Sequence, residues 1–126
     1  MRDAVLIFLG GGLGSVARHF TVLGISRWLP QSAFPWGVFA ANLLGSFILG
    51  FLCVWPMLRA PHAALWLLLA TGFLGGYTTF STFTANTWEL LEGGHLSTAL
   101  LNALGSLAAG LAAAAMGFTC GRWWHG

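Results

Sequence analysis

Thr78, Thr79, Ser81, Thr82 and Thr84 crowd around Phe80 and Phe83, directly behind Gly72, Gly75 and Gly76. Hydroxyls at that density supply hydrogen-bond donors and acceptors, but no base stands beside them to turn one into a nucleophile. The chemistry they offer is that of holding a ligand, not of breaking a bond. More donors are scattered through the other apolar runs. Asn42 lies in "FAANLLGSFILG" with Gly45, Ser46 and Gly50 on one side, Asn102 and Ser106 are four residues apart and followed by Gly110, and Arg18 is well inside the first run. No Asp or Glu occurs between Asp3 and Glu89. An arginine, two amides and a row of hydroxyls without a carboxylate form a donor-rich set that suits an anion. A small hard anion suits it best, because its tightly held water must be replaced by short donor hydrogen bonds. The ring edges of Phe80 and Phe83 add the positive part of the aromatic quadrupole.

Other constellations are weaker. Gly12-x-Gly14-x-x-Ala17 matches the dinucleotide fingerprint in letters only, since that fingerprint needs a preceding strand and an acidic residue about 20 positions on. Those glycines are expected to let two helices approach closely in lipid. His19, His62, His95 and His125 show no metal-binding spacing, and Cys53 and Cys120 no CxxC, so neither a metal cluster nor a required disulfide is expected. Glu89 and Glu92 are three residues apart at the end of the third run, where a solvated helix end accounts for them.

The elements that must position these groups are set by composition. Of the residues, 57% are hydrophobic and 6% charged, more apolar surface than a soluble core of this size needs. Four runs, roughly 4–29, 36–55, 63–91 and 96–120, are each long enough to cross the hydrocarbon core as a helix of about 20 residues. Trp28, Trp36, Trp55, Trp66, Trp88, Trp123 and Trp124 all fall near predicted ends, where indole suits the interface. The fold class is thus an all-α integral membrane protein, a single domain of four helical spans. Arg2 before the first run gives it a passing likeness to a signal peptide, but its glycines and Arg18 mark it as a retained span. The third run would extend about 44 Å as one helix, longer than the core requires. Gly72, Gly75 and Gly76 therefore predict a break near its middle, and unwound backbone at that depth must be buried, line a wet cavity or hold an ion. With alternating spans, Arg2, Arg59 and Arg122 share one side and Arg27 takes the other, so insertion in both orientations is permitted. The net charge of +2 and the absence of a basic run give no reason to expect a nucleic-acid partner.

Taken together, three patterns resemble the Fluc fluoride channel family, also called CrcB. They are "GxxGGxTTFSTF" at Gly72 to Phe83, "PWG...AN..G" at Pro35 to Gly45, and "G..GS..R" at Gly11 to Arg18. The resemblance covers essentially the whole chain. It implies an antiparallel dual-topology homodimer in the lipid bilayer of the cell inner membrane, with two fluoride pores along the subunit interface and a structural sodium ion at its centre. Carried over by motif position, Phe80 and Phe83 would turn ring edges to fluoride, Asn42 would be the pore amide, and Ser81 and Thr82 nearby hydroxyls. Asn102 and Ser106 would continue a polar track on the fourth span. The carbonyls of Gly75 and Thr78 would bind sodium, and Arg18 would make the vestibule positive. Two departures stand out: Asn86 occupies a position where many members carry an acid, and the fourth-span track, often begun by Tyr, reads Asn102, Ser106, Gly110.

The implied activity is passive fluoride export by electrodiffusion, relieving fluoride toxicity, with no enzyme chemistry. A rival is a small dual-topology proton-coupled cation or drug exporter, but coupling needs an intramembrane carboxylate and the first span has none beyond Asp3. A small membrane enzyme lacks a catalytic constellation here, and a mere assembly subunit leaves the polar cluster unexplained.

Overall fold

The computed structural model describes residues 1–55 and 63–125; Arg59, His62 and the side chain of His125 fall outside what it describes. Helix α1 is Arg2–Trp28 and α2 is Trp36–Leu52. Helix α3 is π-helical over Trp66–Leu74 and closes with one α-helical turn, Gly75–Tyr77. Helix α4 is Phe80–Glu92. Helix α5 is α-helical over Leu96–Leu100, π-helical over Leu101–Gly105 and α-helical again over Ser106–His125. No strand occurs among the described residues. The seven tryptophans lie at or near helix ends, as expected for interfacial indoles.

Two stretches, Arg2–Trp28 and Leu96–Trp124, are long and apolar enough to cross a membrane. Helix α2, with 17 residues, ends three residues short of Trp55 and spans about 26 Å. Both long helices expose large apolar side chains: Phe8, Leu13 and Phe20 on α1, and Leu104, Leu107 and Leu111 on α5. Such faces are at home against lipid or another protein surface, not water.

Glycine sets the packing. Buried Gly10 and Gly14 bring α1 onto α3 so closely that a Cβ on Gly10 would meet the Leu68 carbonyl and one on Gly14 the Phe73 carbonyl. Gly72 and Gly76 complete the seam from α3, with a Cβ on Gly72 landing 3.0 Å from Gly10 Cα. Gly12 of the fingerprint look-alike meets nothing and sits mid-helix. The same device joins α2 to α5, where Gly50 lies on the Ala114 backbone and Gly117 on that of Phe47. Small residues at four-residue spacing are how helices gain van der Waals contact in lipid. Gly14→Val is therefore expected to destabilise the protein by about 3 kcal/mol or more, because backbone, not a yielding side chain, fills the space; loss of the monodisperse peak in detergent gel filtration checks it. Between α4 and α5 the chain reverses through Gly94, at φ +75°, while His95 N–H closes the turn onto Leu90 O at 2.8 Å.

The predicted interruption of the third run exists, but not at the glycines. Gly72, Gly75 and Gly76 are all helical; the chain opens at Thr78 (φ −86°, ψ 157°) and Thr79 (φ −151°, ψ 118°). Gly72 and Gly76 are needed for contact with α1, so they lie where the helix is held, and the opening falls just beyond the seam.

Candidate functional site at the helix break

Opening a helix frees backbone groups that must find other partners away from water. Thr79 N–H, which an unbroken helix would give to the Gly75 carbonyl, donates instead to Asn42 Oδ1 at 2.7 Å, and Asn42 Nδ2 donates back to the Thr79 carbonyl at 3.1 Å. One amide side chain on α2 thus satisfies both backbone polar groups of Thr79. The Thr78 carbonyl accepts from the Arg18 guanidinium on α1 at 3.1 Å, and Thr78 N–H still reaches Leu74 O at 2.9 Å. The break is clamped from both sides.

Helix α4 restarts with a side-chain cap. Buried Thr79 accepts from Thr82 N–H through its hydroxyl at 3.2 Å, donates that hydroxyl to Thr82 Oγ1 at 3.1 Å, and lies 3.3 Å from Ser81 Oγ. A single O–H given to Thr82 leaves Ser81 as the donor in the last contact. Thr79→Val should lower stability by about 1–2 kcal/mol, with Thr79→Ser close to the parent, as thermal unfolding in detergent would report.

Two cavities flank Thr79. One, of about 310 Å³, is lined by Asn42, Ser46, Gly75, Thr78, Thr79 and Phe80 among others. The other, of about 240 Å³, is lined by Ser15, Arg18, His19, Thr79 and Thr82 with Val22 and Val38. The chain's three carboxylates, Asp3, Glu89 and Glu92, line neither. The discontinuous helix turns the carbonyl end of α3 and the N–H end of α4 toward one another, which offers a negative pole to cations and a positive pole to anions within a few residues.

Phe80 and Phe83 share a face of α4, as their spacing predicts, with ring centroids 5.7 Å apart and planes tilted by 42°. Phe80 is 77% exposed in the single chain. Asn102 and Ser106 lie elsewhere. Asn102 is fully buried, donates to Thr87 Oγ1 on α4 at 2.9 Å and accepts from Ser106 at 3.3 Å, and neither lines the two cavities at the break. A π-helical turn carries Asn102, and inserting one residue per turn re-aims the side chains that follow by about 100°. Gly110, next on this track, faces α2, where a Cβ would lie 3.9 Å from Ser46 Oγ. Asn86 lines cavities beside the α1–α2 connection, away from the break.

Several contributors escaped the sequence reading. Ser15, Thr21 and Tyr77 join Arg18 around the end of α3, and Thr87 orients Asn102. The three-residue spacing of Ser15, Arg18 and Thr21 was a legible signal, since it puts them on one face of a helix.

For the oxygen donors of a hard cation, Gly75 is well placed: its helical donor has gone to Asn42, and a Cβ there would meet nothing within 4 Å. Thr78 O keeps a second lone pair beside the one engaged by Arg18. These carbonyls fit a sodium ion in type, although two per chain make only part of a coordination shell.

Comparison with known proteins agrees with the motifs. Residues 5–118 match the family model described as CrcB-like protein, Camphor Resistance (CrcB). Three relatives carry the name fluoride-specific ion channel FluC. The protein from Gloeobacter violaceus is 43% identical over 97% of this chain and 98% of its own. That from Dichelobacter nodosus is 44% identical over 92% and 93%, and that from Chlorobaculum tepidum 42% identical over 99% and 98%. With its glycine seams, its clamped break and these near full-length matches, the chain belongs to the CrcB-like family.

Proposed function

We propose that this protein is a fluoride-selective channel that lets cytoplasmic fluoride leave by passive electrodiffusion, and that it is not an enzyme. The observation that carries the reading is the break between α3 and α4, where Arg18, Asn42 and the Thr79–Ser81–Thr82 hydroxyls converge without a carboxylate. The names of the relatives support fluoride as the ion. Asn42 spends one amide hydrogen on Thr79 and keeps a second for a ligand in the cavity it lines. Thr82 accepts from Thr79 and retains its own proton for the Arg18 side. Phe80 and Phe83 supply ring edges in place of water. Asn102 and Ser106, bonded to Thr87 and to each other, form a polar pair on α5 that keeps the fourth-span track satisfied apart from the break.

The working unit we propose is an antiparallel dual-topology homodimer of four-span chains in the cell inner membrane, with two pores along its interface. Exposed Phe80 and the exposed Gly75 support a second copy covering this face, and two carbonyls per chain support a cation shared between copies. Sodium held by Gly75 and Thr78 of each copy would neutralise the carbonyl ends that the breaks leave open. Arg18 places positive charge at the vestibule.

The test is release of fluoride from liposomes holding the purified protein, followed with a fluoride electrode while potassium and valinomycin set the voltage. Fluoride should leave rapidly and in proportion to the driving voltage, with negligible chloride loss in a parallel trial. Fluoride movement that ignores voltage and follows a proton gradient would overturn electrodiffusion. Native mass spectrometry should show a dimer.

A further inference from the structure

We infer that Arg18 acts on conduction as a positioning residue, holding the helix break in its open geometry through the Thr78 carbonyl, and not only by lending positive charge to the vestibule. The inference rests on the channel reading but is carried by a contact pattern of its own. Ser15, Arg18 and Thr21 stand on one face of α1 at three-residue spacing, and all three reach the end of α3. Ser15 Oγ donates to Gly76 O at 3.5 Å, Arg18 to Thr78 O at 3.1 Å, and Thr21 Oγ1 pairs with Tyr77 OH at 3.0 Å. Tyr77 is itself buried and stacked on Phe73 at 5.9 Å.

This polar ladder continues the glycine seam. Gly10, Gly11 and Gly14 bring α1 onto α3 up to Gly76, and the ladder takes over where the helix ends. Helix α1 is therefore a brace along the whole approach to the break, and Arg18 is its last grip, on the residue where the backbone turns extended. In an unbroken helix Thr78 O would receive Thr82 N–H, but that donor caps α4 through Thr79 Oγ1. Without Arg18, Thr78 O at membrane depth has lost both its helical donor and its replacement. Arginines inside membranes are commonly matched to backbone carbonyls in this way. A half-buried guanidinium with planar, directional donors suits this role, whereas an ammonium delivers the same charge from a different position.

The two roles predict different results for Arg18→Lys, which keeps the charge and loses the fork. A positioning role requires that Arg18→Lys lower the saturating fluoride flux by about tenfold while the half-saturating concentration stays near the parent value. It also requires faster hydrogen exchange of the Thr79 amide, by about ten- to hundredfold, with exchange within α1 unchanged. Parental flux and exchange in Arg18→Lys, with a raised half-saturating concentration in Arg18→Gln, would overturn the inference and leave charge as the whole contribution. Parental behaviour in both variants would overturn it too. If Arg18→Lys yields no folded protein, Arg18→Gln is judged on the same criteria, saturating flux and Thr79 exchange against half-saturating concentration. The exchange measurement needs no transport, so it tests the grip of Arg18 on the break even if the protein moves no fluoride.

Discussion

Asn42→Asp is expected to abolish fluoride release from liposomes, a loss of at least about a thousandfold. Two effects act together. The carboxylate keeps an acceptor for Thr79 N–H but has no N–H for the Thr79 carbonyl, now held at 3.1 Å by Asn42 Nδ2. An oxygen would face an oxygen there, and an unsatisfied buried carbonyl costs about 1–3 kcal/mol. The added negative charge also stands in the cavity proposed for the anion; two like charges 4 Å apart repel by about 4 kcal/mol at an effective dielectric constant of 20. At about 1.4 kcal/mol per factor of ten, that repulsion alone approaches a thousandfold. The electrode assay measures the loss, and gel filtration of the same sample separates a blocked pore from an unfolded one. Flux within a few fold of the parent would remove Asn42 from the path.

Phe80→Ile and Phe83→Ile form the second prediction. Each should cut fluoride flux by more than about tenfold and leave the protein folded. Phe80 is 77% exposed in the single chain and Phe83 half-buried, so neither ring anchors the internal core. A large aliphatic replacement keeps the apolar contacts at a cost below about 1.5 kcal/mol. What isoleucine lacks is the electropositive ring edge, the one property of phenylalanine that a desolvated anion would use. Unimpaired flux in both, with normal flux in Asn42→Asp, would refute the pore assignment as a whole.

How far the sequence alone reached can be judged at particular residues. The existence of a broken third run followed from its length and glycines, yet the break lies at Thr78–Thr79, because Gly72 and Gly76 are occupied in holding α3 against α1. Helix propensity is a local quantity, and it could not weigh a contact with a helix some sixty residues away. Asn42 was legible as a polar group at membrane depth, whereas its pairing with Thr79 was not. Asn102 and Ser106 were grouped by four-residue spacing, and they do bond to each other, but the π-helical turn directs Asn102 to Thr87 instead of the break.

Composition and period sufficed for a membrane-embedded helical protein, because they determine which solvent each segment tolerates. The motifs sufficed for the family, and the missing carboxylates for a donor-rich interior, because charge type is carried by residue identity. Where the freed backbone groups go was decided only by tertiary structure. Arg18, Asn42 and Thr78 are far apart along the chain, and a hydrogen bond depends on ångström-scale position and direction. The glycine seam of α1 with α3, and Gly45 of α2 set against the Thr78 side chain, brought their helices within that reach, and the break opened where partners from α1 and α2 could satisfy it.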